Sequence, residues 1–185
     1  MSQLVAQKRI MSTKQLVIIA VFIAIAAILS YIEIPLMPAA PYLKYDPSGV
    51  VALVTSLIFG PLAGSFVAVL SWVPHMLTNP IGSVMNIAAS LAMIIPAGLI
   101  YRQGGTIGKA VSGMALGIVL SVIISIALNF IATPLYFGGS VADVMKMVLP
   151  ILLPFNLIKL FLNCGITLIV YKTISKLIKG NEAQD

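Results

Sequence analysis

One lysine of this sequence lies deep inside an apolar segment. Lys159 falls within LPFNLIKLFLN, and no other charged residue occurs between Lys146 and Lys172. An ionised side chain at membrane depth costs on the order of 2.5 to 3.5 kcal/mol, so such residues usually have a functional reason to be there. Asn156 stands three residues earlier, and this spacing puts its amide and the lysine ammonium on one face of a helix. The pair offers hydrogen-bond donors and an acceptor to a polar ligand.

Two more asparagines, Asn86 and Asn129, also lie within apolar segments. An amide in a low-dielectric interior needs hydrogen-bond partners. Three asparagines and one lysine could line a single pocket, or the asparagines could join neighbouring helices through interhelical hydrogen bonds. The pocket is the preferred interpretation for Asn156 with Lys159, whereas both interpretations stay open for Asn86.

Residues with the spacing of known catalytic or metal sites are not found in the sequence. It has one histidine, His75, and one cysteine, Cys164, and its acidic residues are scattered. His75, beside Pro74, is interpreted as an interfacial residue rather than a ligand. The segment GGTIGKA at 104–110 has one residue too few between its glycines for a phosphate-binding loop, and Ala110 stands where Ser or Thr is required. We therefore expect no enzyme, no catalytic or metal-ligating residues and no ATP binding by this chain.

Composition predicts the environment in which these residues work. Of the 185 residues 60% are hydrophobic and 9% charged, with a mean hydropathy of +1.10, whereas soluble domains contain roughly 25% charged residues. A soluble enzyme, a nucleic-acid binder and a disordered tail are excluded. The mass of 19.6 kDa leaves room for one domain, so residues 1–185 are predicted to form a single integral membrane domain in a lipid bilayer.

Charged residues and helix-breaking turns divide the sequence into six apolar runs, each taken as one membrane crossing. The fold class is therefore an all-α membrane protein with six transmembrane helices. The run 47–59 is too short to cross about 30 Å of hydrocarbon unless it leans on loops or neighbouring helices. The predicted helices are 15–32, 47–59, 61–77, 82–101, 109–134 and 147–173.

The distribution of charge favours six crossings over five. Cytoplasmic loops of membrane proteins carry an excess of Lys and Arg. With six crossings, one face holds Lys8, Arg9, Lys14, Arg102, Lys109, Lys172, Lys176 and Lys179 against Glu182 and Asp185. The other face holds Lys44 and Lys146 against Glu33, Asp46 and Asp143. Both termini are therefore predicted to be cytoplasmic.

Two further segments could make contacts with a ligand or a partner. The outer loop 33–46 contains three prolines and two tyrosines, so it could form a stiff cap over a pocket, although interfacial aromatic residues are also ordinary membrane anchors. In the first helix, Ala20, Ala24 and Ala27 form a stripe of small side chains that lets another helix approach closely. That stripe could serve docking of another subunit or packing within the chain.

Four features of the sequence resemble a known family over residues 15–175. They are the Ala-x-x-x-Ala pattern at Ala20 and Ala24, the outer loop YLKYDPSGVVAL, the turn FGPLAG at 59–64, and the late segments LNF around Asn129 and LPFNLIK at 153–159. Together they resemble the substrate-binding S-components of energy-coupling factor (ECF) vitamin transporters. The pattern Pro-Phe-Asn-x-x-Lys with an upstream Leu-Asn is similar to the riboflavin-specific members.

The resemblance implies a site, a ligand and partners. Asn129, Asn156 and Lys159 match positions that hydrogen-bond the isoalloxazine ring of riboflavin, and the segment with Tyr42, Leu43, Lys44 and Asp46 matches the loop that closes over the ligand. Asn86 is counted with the same candidate site from its position in an apolar segment and not from the resemblance. The family works in the cell membrane of prokaryotes with a transmembrane coupling subunit and two ABC-type ATPases, which hydrolyse ATP, so this chain needs no cofactor of its own. Acceptance of the phosphorylated flavin FMN stays open.

Two alternatives remain at the level of the sequence. The chain could be an S-component for another vitamin, such as pantothenate or a pyridoxine- or thiamine-related compound. It could also be a small solo carrier or channel, because polar side chains at the midplane also suit pores.

Overall fold

The computed structural model describes residues 11–180, without the side chains of Phe137 and of residues 175–180. Lys8, Arg9, Glu182 and Asp185, which entered the prediction of sidedness, lie outside these residues, and the side chains of Lys176 and Lys179 are among those not described. The described chain is a bundle of helices with one small two-stranded sheet. The helices are α1 Thr13–Ser30, α2 Ser48–Phe59, α3 Pro61–Trp72, α4 Pro80–Arg102, α5 Ile107–Phe137, α6 Val141–Met147 and α7 Leu153–Gly180.

Local signals in the sequence explain where these helices begin. Ser12 caps α1 in a reciprocal arrangement with Gln15, and the side chain of Asn79 accepts a hydrogen bond from the first turn of α4. Such caps satisfy backbone N–H groups that have no partner inside a helix. α2 and α3 are separated by Gly60 alone, which has a φ of 101°. Only glycine adopts that conformation at little cost, so Gly60 turns the chain back sharply.

The helix lengths agree with an all-α membrane protein. Within residues 11–180, four helical stretches are long and apolar enough to cross a bilayer: Thr13–Ser30, Pro80–Arg102, Ile107–Tyr136 and Val141–Ile174. α2 has 12 residues and rises only about 18 Å, less than the hydrocarbon thickness. Most of its side chains are buried against other helices, so the bundle rather than lipid surrounds it.

The structure differs from the sequence prediction in three places. The last helical run begins at Val141 rather than at 147, because Ser140 and Asp143 form a capping box there; the run continues through a π-helical turn at Val148–Leu152 into α7. In the outer loop, strands β1 Ile34–Pro35 and β2 Lys44–Tyr45 pair antiparallel, with Pro35 opposite Lys44. The third helix, predicted as 61–77, ends at Trp72, and a short 3-10 turn that begins with Pro74, Pro74–Leu77, follows it.

Small residues bring the long helices close together. A Cβ atom at Gly117 of α5 would lie 2.5 Å from the carbonyl oxygen of Met93 in α4, and one at Gly113 would lie 2.9 Å from the backbone of Ala97. Any side chain at these glycines would force α4 and α5 apart. The close packing holds α5 against α4 along the wall of a cavity that opens beneath the outer loop.

Candidate ligand pocket

A cavity of about 360 Å³ lies beneath the outer loop. This volume is within the range of pockets that hold small ligands. Its walls come from the outer loop, the start of α2, the end of α3 with the following 3-10 turn, and from α4, α5 and α7. The lining combines polar side chains with apolar and aromatic ones, among them Trp72, Met93 and Phe155. Such a mixed lining suits a ligand that has both polar and apolar surface.

Lys159 lies in the cavity wall and is paired with a buried carboxylate. Its Nζ donates to Oδ2 of Asp46 at 3.0 Å, and the two side chains are 17% and 4% exposed. Asn86 also donates to Oδ2, through Nδ2 at 3.1 Å. Oδ1 of Asp46 accepts from the hydroxyl of Ser48 and from the Ser48 backbone N–H. Asp46 thus links the outer loop to α2, α4 and α7.

The surroundings of Asp46 keep it ionised. Burial alone would raise the pKa of its carboxyl group, but the charge of Lys159 and the hydrogen bonds from Ser48, Lys159 and Asn86 outweigh burial and lower the pKa below its ordinary value. Asp46 contacts Lys159 but is not itself one of the residues that line the cavity. The sequence grouped it with ligand contacts, whereas here its direct contact is with the lysine.

Asn129 and Asn156 also line the cavity. Each donates through Nδ2 to the carbonyl oxygen four residues earlier in the same helical run at 2.8 Å, Asn129 to Ser125 in α5 and Asn156 to Leu152 in the π-helical turn before α7. Oδ1 of Asn129 accepts from the hydroxyl of Thr133 at 3.1 Å. Since one amide N–H of each asparagine is used by its own helix, the remaining amide atoms are the groups that a ligand can reach.

The outer loop supplies the mouth of the cavity. Tyr42, Leu43 and Lys44 line it, together with Glu33. Lys44 forms an ion pair with Glu33 at 2.5 Å, with the two side chains 44% and 40% exposed. The pairing of β1 with β2 holds this segment over the cavity. The sequence predicted a cap from the prolines and tyrosines, but not the short sheet.

Three aromatic rings stack beside the cavity. The ring of His75 lies 4.2 Å from that of Tyr31 and 4.5 Å from that of Trp72, measured between centroids. His75 shares a hydrogen bond of 2.8 Å with the hydroxyl of Ser30, and Trp72 donates through Nε1 to Ser48 at 3.2 Å. His75 is buried and lines the cavity, whereas the sequence favoured an interfacial role without a ligand; its depth in a membrane stays a prediction.

Several cavity residues were missed at the sequence level. Asn163 is the clearest, because it follows Asn156 and Lys159 at helical spacing on α7, and that periodicity was a usable signal. Its side chain is buried, lines the cavity and abuts Gly49 of α2. The other polar cavity residues from α4 and α5 or the turn before α4 are Thr78, Asn79, Ser90, Ser121, Ser125, Thr133 and Tyr136.

The alanine stripe of α1 lies away from the cavity. Ala20 and Ala24 are exposed and Ala27 is partly buried. Val21 and Ile28, exposed by 51% and 69%, lie on the same helix. α1 thus presents small and apolar side chains on the outside of the described chain.

Comparisons with known proteins agree on one family. The family profile of the substrate-specific component of ECF transporters matches residues 14–171. The riboflavin transporter RibU of Staphylococcus aureus is 29% identical over 90% of this chain and 93% of its own length. The riboflavin transporter FmnP of Bacillus subtilis is 31% identical, with coverages of 80% and 85%.

A solved structure is similar over nearly its whole length. It is described as the S component of a bacterial ECF transporter and superposes with a TM-score of 0.77 at 27% identity, covering 90% of this chain and 98% of its own. The family is one of transporter subunits rather than of enzymes. This chain therefore belongs to the family of substrate-specific components of ECF transporters.

Proposed function

We propose that this chain is the riboflavin-binding S-component of an ATP-dependent vitamin uptake transporter in a prokaryotic cell membrane. The observation that carries the proposal is a cavity lined by Lys159 together with Asn129 and Asn156, in a chain whose relatives are named riboflavin transporters. The match extends to a third such relative, RibU of Streptococcus thermophilus, over 91% of this chain at 29% identity.

The chemistry of riboflavin suits the arrangement of the cavity. The pyrimidine-like edge of the isoalloxazine ring presents carbonyl oxygens and an imide N–H, for which the amides of Asn129 and Asn156 and the ammonium of Lys159 are matched partners. Asn86 donates to the same oxygen of Asp46 as Lys159 does and thereby supports the position of the ion pair. The flat ring system packs against apolar and aromatic walls, and the segment Tyr42–Lys44 closes over it.

The membrane topology that goes with this function has six crossings within a single domain, 1–185, and cytoplasmic termini. The contact of the α2–α3 turn with the end of α4 supports it. A Cβ at Gly60 would lie 2.7 Å from the guanidinium carbon of Arg102, the last residue of α4, whereas the first turn of α4 lies at the cavity end. Since α4 rises about 35 Å over its 23 residues, α2 and α3 together traverse the bundle and return.

Transport requires partners in this proposal. The chain binds the vitamin from outside, and a transmembrane coupling subunit with two ABC-type ATPases supplies the energy of ATP hydrolysis. The exposed face with Ala20 and Ala24, and Ala27 at its edge, is the proposed docking face for the coupling subunit. The chain has no resident cofactor in this scheme, and riboflavin is its cargo.

Riboflavin titration of the detergent-purified protein tests the proposal. We expect a flavin absorbance spectrum from co-purified ligand, and stoichiometric quenching of flavin fluorescence on titration of the ligand-free fraction. Lys159→Met should weaken binding at least about tenfold, since a hydrogen bond from a charged group contributes roughly 1.5 to 3 kcal/mol. Lys146→Met is the matched control, because Lys146 is an exposed lysine that pairs with Asp143 away from the cavity.

Two results would contradict the proposal. A folded, ligand-free protein that leaves flavin fluorescence unchanged would move the assignment to another vitamin within the same family. Equal affinities of Lys159→Met and wild type, with unchanged thermal unfolding, would remove Lys159 from the site.

A further inference from the structure

α1 is held to the rest of the described chain by few buried side chains. Only three of its 18 residues are buried, Ile19, Ala26 and Ser30. Ile19 and Ala26 belong to the apolar core, whereas Ser30, the last residue of the helix, is polar and fully buried. Ile28 and Tyr31, on either side of it, are exposed. The cavity end of α1 is therefore held mainly through Ser30 and the residue that Ser30 contacts.

That residue is His75, in the 3-10 turn after α3. Ser30 donates its hydroxyl proton to the carbonyl oxygen of Ala27 at 2.7 Å, and its oxygen lies 2.8 Å from Nε2 of His75. A hydroxyl group has one hydrogen to donate. Because the carbonyl of Ala27 takes this hydrogen, Nε2 must carry a proton of its own and donate it to Ser30. The side chain of His75 is thus the donor that bonds the end of α1.

His75 is itself fixed by the elements around the cavity. Its ring stacks on that of Trp72, the last residue of α3, and on that of Tyr31, the residue after α1. Trp72 in turn donates to Ser48 at the start of α2. The backbone carbonyl of His75 accepts from the N–H of Asn79, the cap of α4, at 2.7 Å. His75 therefore joins the end of α1 to the ends of α2, α3 and α4.

The stack has one side on the cavity and one side on α1. His75 and Trp72 line the cavity, whereas Ser30 and Tyr31 do not. A ligand that fills the cavity packs against the first two rings and restricts their motion. Ordering of this kind reaches other parts of a protein through the groups that the ordered residues contact. For His75 the group on the far side is the Ser30 hydroxyl.

We propose that His75 is a positioning residue that transmits occupancy of the cavity to α1 through its hydrogen bond to Ser30. A bound ligand orders the ring of His75, the ring holds Ser30, and the cavity end of α1 becomes more rigid. The inference rests on the proposed function, in which α1 carries the docking face with Ala20 and Ala24. It gives the docking helix a property that differs between loaded and empty protein although α1 does not line the cavity.

Hydrogen–deuterium exchange of the purified protein, with and without saturating riboflavin, tests the inference. The reporter peptide contains the amides of Tyr31 and Ile32, which donate to the carbonyls of Ile28 and Leu29 at the end of α1. In wild type we expect riboflavin to slow exchange of these amides at least about fivefold, as for stabilisation by one hydrogen bond. Exchange at the start of α5, at the opposite end of the bundle, should not respond.

Two variants remove the hydrogen bond and a third preserves it. Ser30→Ala removes the acceptor, and His75→Asn has a side chain too short to reach it. His75→Gln places an amide N–H close to the position of Nε2, so it can still donate to Ser30. With riboflavin at saturation, Ser30→Ala and His75→Asn should lose the slowing at the end of α1, and His75→Gln should keep it.

The comparison of the two His75 variants separates the hydrogen bond from general damage to the wall. His75→Asn and His75→Gln both lose the stacked ring, and their side chains differ by one methylene. Saturating riboflavin removes any difference in affinity from the measurement. Ser112→Ala is the control for Ser30→Ala, because the exposed hydroxyl of Ser112 bonds only within α5; it should show the wild-type slowing.

The outcomes distinguish this inference from the proposed function. The role of His75 is wrong if wild type binds riboflavin without slower exchange at the end of α1. It is also wrong if folded Ser30→Ala or folded His75→Asn keeps the wild-type slowing, or if folded His75→Gln loses it. Since Ser30→Ala and His75→Asn remove the same bond from its two sides, one folded variant is sufficient. In each of these cases the riboflavin assignment stands. If wild type does not bind riboflavin, the proposed function is wrong and the inference falls with it.

Discussion

Gly49 sets the distance between α2 and α7 at the cavity wall. A Cβ at this residue would lie 2.5 Å from Nδ2 of Asn163, closer than two non-bonded atoms approach. Both residues line the cavity. Oδ1 of Asn163 has no hydrogen-bond partner among the described residues, so no hydrogen bond at that oxygen opposes a displacement of the amide away from Gly49.

We therefore expect Gly49→Ala to displace the Asn163 amide and weaken riboflavin binding. The variant should fold, because Gly49 lies in a helix and the displaced group is the end of a side chain. Its affinity should fall about fivefold, as for the loss of one hydrogen bond of roughly 1 kcal/mol, measured by flavin fluorescence. Gly165→Ala is the control, since a Cβ there meets nothing within 4 Å. Wild-type affinity in folded Gly49→Ala would show that the position of Asn163 is unimportant for the ligand.

Individual residues differed in how well the sequence alone revealed them. Lys159 could be identified from the sequence, because placing an ionised group within an apolar segment costs free energy and such residues usually have a function. The pairing of Lys159 with Asp46 could not be predicted, because 113 residues separate the two in the sequence and only the tertiary fold brings them together. His75 lacked a signal of this kind, since a single histidine near a helix end is equally suited to an interface and to a stacked position between Tyr31 and Trp72.

Among the helices, the pair α2 and α3 decides the number of crossings. Each is a short apolar helix. Two such helices could cross the membrane and return, or both could stay at one surface, and the length of the helices does not distinguish these arrangements. The sharp turn at Gly60 beside Arg102 indicates that the pair reaches the far end of α4. The location of this turn is open to a direct test.

Labelling of single cysteines in intact cells with a membrane-impermeant maleimide gives that test. In a Cys164→Ala background, Leu77→Cys should react from outside, because Leu77 is 91% exposed in the turn between α3 and α4. Leu62→Cys, beside the α2–α3 turn, and Gln103→Cys, after α4, should react only after the cells are opened. Labelling of Leu62→Cys from outside would show that α2 and α3 do not traverse the membrane.

The helices were predictable in kind, but their bounds and irregularities were not. Apolar runs predicted α1 and α4 to within a few residues, because an uninterrupted apolar segment has few alternatives in a bilayer. The start of the last run was missed, since Asp143 and Lys146 interrupt the hydropathy signal although the capping box at Ser140 begins a helix before them. The β1–β2 pairing lacked a signal as well, because two residues are too few for a strand pattern.

For the molecule as a whole, the exposed face of α1 separates transport from binding in our proposal. Ala20→Phe should abolish riboflavin uptake by cells that also make the coupling subunit and ATPases, because a large side chain would prevent close approach of a partner helix. Riboflavin binding by the purified variant should be unchanged, since Ala20 lies away from the cavity.

The control for this prediction is Ala115→Phe, a matched change at an exposed alanine of α5. It should retain both uptake and binding. Normal uptake by Ala20→Phe would remove the α1 face from the docking surface, and loss of binding in folded Ala20→Phe would contradict the separation of roles.

The family and the membrane class were accessible from the sequence, whereas the architecture of the cavity was not. Segments such as LPFNLIK carry both the hydropathy and the polar residues by which the chain resembles its relatives. The volume of the cavity instead depends on how closely α4 and α5 pack at Gly117 and on the course of the loop above it, and neither is encoded in a local pattern.

The position of Trp72 gives the protein a built-in optical reporter. It is the one tryptophan of the sequence, it is 7% exposed, and its ring stands in the cavity wall. Indole emission overlaps the near-ultraviolet absorption of flavins, so a bound flavin is placed to accept excitation energy from this ring at very short range. Occupancy of the site can therefore be followed in the unlabelled protein through a single chromophore, with no background from tryptophans elsewhere in the chain.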